Sequence, residues 1–316
     1  MTVIDPGMLT SVQTLGSRPC PELGVPSAGA VDTLSVKVGN RLLGNHDYDA
    51  ALECTLTGVT VRLDSDSHIV VTGGEADCFL KGDSIRAMER WKVHKVGAGE
   101  TVQIGGVRRG ARVYLCVRGG FCSDRNSFGP STNLGAGFGG FGGRALRAGD
   151  VLTFNGATGD PPENLHVPPM VLELLERRTL RAIALPMAGR FEQEAANLFW
   201  QSEFTVSNQS DRSGIRLEGP AIPSLCAGRM ISEGMTFGAI EIPQSGQPIV
   251  LGVEHPTTGG YPVIACVATV DLPILGQLRP REKVRFEQVT VAEAHRLLRS
   301  ASAALRRLPP QRDYSL

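Results

Sequence analysis

The residues best suited to chemistry on a carbonyl group stand together in the run Thr257-Thr258-Gly259-Gly260-Tyr261-Pro262. Two hydroxyls and two glycines supply side-chain donors and bare backbone N–H groups, which suit a developing oxyanion. Glu233, Glu241 and Glu254 lie in the same stretch of chain, and each is a candidate base. Upstream, Asp211 adjoins Arg212 in Ser210-Asp211-Arg212-Ser213-Gly214. That pair offers a carboxylate and a guanidinium able to clamp an anion through two bonds. Ser27 and Asp32 sit in a further glycine-studded run, residues 24–32. Each stretch alone reads as a turn between strands, with Ser, Asp and Thr capping the backbone, and Asp211 reads equally as the partner of Arg212 in an internal ion pair. Together they make one candidate site. Glu233, Glu254, Thr257 and Thr258 are its expected catalytic residues. Ser27, Asp32, Asp211, Arg212, Glu241, Gly259, Gly260 and Tyr261 are its expected substrate contacts.

Other chemistries are poorly served. The six histidines (46, 68, 94, 166, 255 and 295) have no metal-ligand spacing to one another or to a cysteine, so no metal is expected. The glycine run 135–143 contains GxGxxG but leaves through Arg144-Ala145-Leu146 and a turn, where a dinucleotide site needs a helix. It reads as a loop whose backbone packs closely on a ligand, a partner or its own chain. There is no GxxxxGK[ST] phosphate loop and no GxSxG nucleophile elbow. Lys plus Arg equals Asp plus Glu, which asks for neither nucleic acid nor an anionic membrane. The seven cysteines include no CxxC pair, and most stand in apolar runs. Buried reduced thiols in the cytoplasm are expected. No signal peptide is expected, and no apolar run approaches the ~18 residues of a membrane span.

The elements that must position these residues are mostly strands. The 38 glycines and 20 prolines punctuate short β-like runs. In the first half these are 59–63, 69–71, 101–104, 112–117 and 151–154. One helix is expected over about 33–43, with Asp32 as its N-cap and Leu34, Val38 and Leu42 at helical spacing. A polar, proline-bearing stretch, 156–169, reads as a linker. Beyond it come a short helix and strands at 181–185, 204–207, 215–217, 239–242, 249–251, 263–270 and 283–286. Phe191, Ala195, Leu198 and Phe199 mark one helical face. Thr290 and Glu293 form a capping box for a last helix lined by Val291, Ala294, Leu297, Leu298 and Leu305. The tail from Pro309 is expected to lack order. The expected fold is mostly β with few helices, in two domains, 1–160 and 161–316, antiparallel rather than built from βαβ units.

These motifs also carry a resemblance. Leu23-Gly24-Val25-Pro26, Gly29-Ala30-Val31-Asp32, Asn40-Arg41-Leu42-Leu43-Gly44-Asn45, Arg118-Gly119-Gly120 and Gly143-Arg144-Ala145-Leu146 occur in family order. So do Ser210-Asp211-Arg212, Arg216-Leu217-Glu218-Gly219-Pro220, Ser232-Glu233-Gly234, Gly246-Gln247-Pro248-Ile249 and Thr257 to Pro262. Over roughly 7–287 the chain resembles the C-type subunits of bacterial 5-oxoprolinase, a family also called allophanate hydrolase subunit 2. The resemblance implies two β-barrel-like domains, the second cyclophilin-like. It implies a B-type partner and an A-type third component, with ATP used by the complex to open 5-oxoproline to glutamate. A related module in urea amidolyase is a carboxyltransferase that moves carboxyl from biotin to urea. The biotin-attachment Met-Lys motif is absent here, so biotin would arrive on another chain. A third alternative is a non-catalytic regulatory partner, as in the branch named for antagonism of a kinase inhibitor. No covalently bound cofactor is expected. The chain also departs from the family pattern. Ser17 stands where relatives carry Arg in VQDLGR, and Pro130 stands where they carry an Arg. Glu241 replaces a Gln, and Glu254 and Pro256 replace an Asp and a Gln before the double threonine. The resemblance therefore fixes the family more firmly than the substrate.

Overall fold

Alternating apolar positions between tight turns make strands the dominant element of both halves. The computed structural model describes residues 1–16, 20–124, 129–157, 159–186, 190–226 and 230–308. Ser17 and the tail from Pro309 lie outside the described residues. The chain forms two compact units that are discontinuous in sequence. The first comprises residues 1–18, 28–172 and 304–316, the second 19–27 and 173–303.

The first unit holds β1 (Thr2–Asp5), β2 (Leu9–Gln13), α1 (Thr33–Leu42), β3 (Ala51–Thr55), β4 (Thr60–Arg62), β5 (Ser67–Lys81), β6 (Ile85–Ala87), β7 (His94–Val96) and β8 (Thr101–Val117). They make one open antiparallel sheet in the order β1-β4-β8-β3-β2, with β5 on β8 and both β6 and β7 on β5. The runs expected at 101–104 and 112–117 are two ends of the single 17-residue strand β8. Glycines and arginines interrupt its apolar pattern, and the pairing of β5 with β8 absorbs the break through register shifts between Gly73 and Cys78. The run expected at 151–154 contributes only isolated bridges, Thr2 to Val151 and Phe121 to Phe154. The core is a continuous apolar cluster including Leu52, Val61, Leu63, Ile69, Val102 and Leu115.

Helix α1 starts where expected, because the Asp32 carboxylate accepts the Ser35 backbone N–H at 2.9 Å. The glycine run folds back on its own loop. A Cβ at Gly139 would stand 2.1 Å from the Ser131 carbonyl oxygen, and one at Gly140 1.8 Å from Thr132 Oγ1. Here the close packing is intramolecular, and no helix leaves the run. Of the seven cysteines, all free, Cys54, Cys78 and Cys116 are buried, while Cys122 is exposed, contrary to expectation.

The second unit holds the second half of α2 (Pro169–Glu176), then β9 (Thr179–Ala184), α3 (Gln193–Gln201), β10 (Glu203–Val206), β11 (Gly214–Glu218), β12 (Glu233–Gly234), β13 (Ala239–Glu241), β14 (Ile249–Leu251), β15 (Thr258–Gly259), β16 (Val263–Val267), α4 (Leu272–Leu275), β17 (Lys283–Gln288) and most of α5 (Val291–Leu305). Seven strands close a barrel in the order β10-β11-β14-β13-β16-β9-β17. One pair, β17 with β9, is parallel. Closure removes free strand edges and gives the barrel an inner and an outer face on every strand. Ile240 and Val250 face each other fully buried on one side of β13 and β14. Phe199 of α3 stacks on Phe286 with ring centroids 4.8 Å apart. Thr290 caps α5 as expected, its Oγ1 accepting from the Glu293 N–H at 3.2 Å. Among the described residues no helix is long and apolar enough to cross a membrane.

Candidate functional site

The side chains of Glu241, Ile249 and Arg216 form a row on the face of the barrel opposite the buried Ile240 and Val250. Register fixes this, since Arg216 pairs with Ile249 and Ile249 with Glu241 across three neighbouring strands. A cleft of about 500 Å³ opens over this row. Its walls come from the turn before β11, the turn between β13 and β14, and Pro256 and Tyr261 on either side of β15. That volume falls in the ordinary range for small-molecule sites.

Glu241 is the distinctive group in the cleft. It is only 7% exposed, yet no hydrogen bond or ion pair engages its carboxylate among the described residues. Burial pushes its carboxyl above the ordinary glutamate range. A register shift between Ile240 and Glu241 in the pairing of β13 with β16 re-aims the end of the strand here. Gly259 comes so close that an added Cβ would stand 2.4 Å from Glu241 Oε1. A side chain at position 259 would therefore displace the carboxylate.

Gly259 belongs to the two-stranded ribbon of β12 and β15, in which Glu233 pairs with Gly259 and Gly234 with Thr258. The Met230 N–H donates to the Gly260 carbonyl at 2.9 Å and the Met235 N–H to the Thr257 carbonyl at 3.0 Å. The Thr257 and Thr258 hydroxyls take part in no hydrogen bond among the described residues, and Thr258 is exposed. The ribbon thus holds the threonines in place while leaving their donors free.

The remaining expected residues separate into different duties. Glu233 is exposed and forms an ion pair with Arg190 at 2.6 Å. Glu254 and Arg212 are 9% and 6% exposed and bind each other, Glu254 Oε1 to Arg212 Nε at 2.6 Å. This buried pair ties the loop after β14 to the turn before β11. The Glu254 N–H donates to the Arg212 carbonyl at 3.0 Å, reinforcing the tie. Arg212 is thus committed to a protein carboxylate. Asp211 accepts from the Ser213 and Gly214 backbone N–H groups at 2.8 and 3.0 Å, which is a turn-capping role. The Ser27 hydroxyl donates to the Val253 carbonyl at 2.5 Å, beside Glu254. Asp32 is not brought to a surface. It is 0% exposed in the first unit, and its second oxygen accepts from the Ser35 hydroxyl at 2.5 Å. The structure therefore gathers Glu241, Gly259, Tyr261 and Asp211 around one cleft, with Thr257 and Thr258 on the adjoining ribbon. Arg216 was missed as a site residue. Its one visible signal was its place in Arg216-Leu217-Glu218-Gly219-Pro220. No group of three or more His, Cys, Asp or Glu is placed to hold a metal among the described residues.

Residues 23–288 match the carboxyltransferase domain family, subdomains A and B. The chain belongs to this family. All twelve expected site residues fall inside the matched span. The C subunit of 5-oxoprolinase from Haemophilus influenzae is 34% identical over 298 residues, covering 94% of both chains. The same-named Escherichia coli protein is 33% identical over 93% of both. The urea amidolyase of Saccharomyces cerevisiae is 29% identical over 96% of this chain but only 17% of its own length. The crystal structure of Kluyveromyces lactis urea carboxylase superposes with a TM-score of 0.87 at 27% identity, covering 97% of this chain and 29% of that one. The chain is thus comparable in span to the oxoprolinase subunits and to a fraction of the urea enzymes. Those relatives are enzymes or parts of enzymes.

Proposed function

We propose that this chain is the C-type component of an ATP-dependent 5-oxoprolinase-type complex. In that complex it acts with B-type and A-type partner subunits in opening the lactam of 5-oxoproline to glutamate. The observation that carries this reading is the similarity over nearly the whole of both chains to 5-oxoprolinase C subunits, at 33–34% identity, together with the substrate-sized cleft beside Glu241 and Gly259. Opening a lactam requires water to attack the ring carbonyl with loss of a proton to a base, donors at the carbonyl oxygen while the C–N bond breaks, and a proton returned to the departing ring nitrogen. Glu241 would take the water proton and return it to the departing ring nitrogen, and burial raises its affinity for that proton. Thr257, Thr258 and the backbone of Gly260 supply the donors. Glu233 and Glu254, the expected bases, are engaged by Arg190 and Arg212 and serve to hold the ribbon and its loop. We assign ATP to another member of the complex; this sequence has no phosphate loop of the GxxxxGK[ST] kind.

The test is ATP-dependent glutamate release from 5-oxoproline by this chain co-expressed with its genomic neighbours. Release should require the chain. Relatives carry Gln at this position, so the base assignment is particular to this chain: Glu241→Gln should lower its kcat by 100-fold or more with KM little changed, because Gln accepts a hydrogen bond but cannot take a proton. Full turnover by Glu241→Gln rules out the base assignment. The paired variant Thr257→Val with Thr258→Val should abolish activity and keep the fold. A second reading, carboxyl transfer from biotin on another chain to urea or a similar amide, is favoured by the TM-score of 0.87 to urea carboxylase. Biotin-dependent urea carboxylation by a well-folded complex that releases no glutamate would decide for it.

A further inference from the structure

We propose that Arg216 is the specificity-determining residue of the cleft and binds a carboxylate carried by the substrate, on the opposite side of Ile249 from Glu241. The inference rests on the reading that an amide substrate enters this cleft. Arg212 adjoins Asp211 in the sequence and looks the natural anion clamp. It is buried and bound to Glu254 at 2.6 Å. Arg216 lines the cleft, is exposed, and forms no ion pair among the described residues. Its neighbours in the row are fixed by backbone pairing, Arg216 with Ile249 and Ile249 with Glu241. Two strand spacings place the two charged residues about 10 Å apart at the backbone. No ion pair joins them among the described residues, and the floor between them is the side chain of Ile249. Their side chains are long enough to reach one compact ligand lying over Ile249 whose carboxylate adjoins its N–H donor, as in 5-oxoproline. The other ionisable groups facing the cleft do not replace Arg216. Asp211 is held by turn amides, and Glu218 and Tyr261 carry no positive charge. The ligand class is therefore a lactam or amide acid, as opposed to a neutral amide without a carboxylate.

The experiment measures binding to the full chain by saturation-transfer NMR and calorimetry with three probes: 5-oxoproline, 2-pyrrolidinone and urea. 2-Pyrrolidinone has the same lactam ring without the carboxylate. 5-Oxoproline should bind at least tenfold more tightly than 2-pyrrolidinone. Arg216→Gln should erase that margin and leave 2-pyrrolidinone binding unchanged. Arg216→Lys, which keeps charge but loses the planar fork, should restore part of it. Arg216 is exposed, so an unchanged thermal transition is expected for both variants and separates lost binding from lost folding. If 2-pyrrolidinone or urea binds as tightly as 5-oxoproline, or if the margin survives Arg216→Gln, the inference is overturned while the amide cleft stands. If none of the three probes binds, the cleft reading and the inference fall together.

Discussion

Replacing Glu254 by Gln removes one charge from the Arg212–Glu254 pair and changes its shape little. Both side chains are buried, and the Nε to Oε1 distance is 2.6 Å. Removing one partner of such a pair leaves the other charge desolvated and costs about 3–5 kcal/mol. Gln can still accept a hydrogen bond from Nε, so the expected loss is about 3 kcal/mol, at the lower end of that range. In a protein of this size each kcal/mol moves Tm by about 2–4 °C, which gives a fall of roughly 6–12 °C. Urea unfolding should show a lower midpoint with an unchanged slope, since the surface exposed on unfolding is the same. The double variant Glu254→Gln with Arg212→Met removes the stranded charge and should recover much of the loss. A midpoint for Glu254→Gln that differs from wild type by less than about 0.5 kcal/mol refutes the argument, since surface substitutions alone produce that much. A double variant as unstable as the sum of the singles refutes the coupling.

The same geometry makes three further predictions. Burial raises the Glu241 carboxyl, so the folded state binds this proton more tightly than the unfolded state does. That contribution is fully present below the ordinary glutamate pKa and is lost as pH rises through the raised folded value. Glu241→Gln should therefore match wild type in Tm under acid conditions and exceed it near neutrality; a gap that is constant with pH would contradict the burial argument. Gly140→Ala meets both a φ of +62° and a Cβ 1.8 Å from Thr132 Oγ1, and should lose about 1–3 kcal/mol in urea unfolding. Wild-type stability in that variant would mean the loop is open enough to accept a ligand. Iodoacetamide at pH 8 should label exposed Cys122 first. Cys54 and Cys116, both pushed up to about 12 by burial, should react only on unfolding. Peptide mass spectrometry checks the order, and native labelling of Cys116 at the rate of Cys122 would contradict it.

What the sequence determined was mostly local. Asp32 capping α1 and Thr290 capping α5 depend on contacts three residues long, and both were legible as spacing. The barrel strands at 215–217, 239–242 and 249–251 were legible because apolar alternation is a local pattern. The long strand β8 was not, because its continuity depends on β5 supplying partners across a break in that pattern. The site residues divided the same way. Sequence offered Glu233, Glu241 and Glu254 as candidates and favoured Glu233 and Glu254 as the catalytic bases, since a carboxylate carries no mark of its neighbours. Only the fold brought Arg212 to Glu254, 42 residues away, and Arg190 to Glu233, 43 residues away. Pairing of distant strands left Glu241 buried without a cation and set Arg216 across Ile249 from it. Whether a charged group is free to act depends on what else is buried beside it, and that is decided by strand register across the barrel rather than by neighbours along the chain.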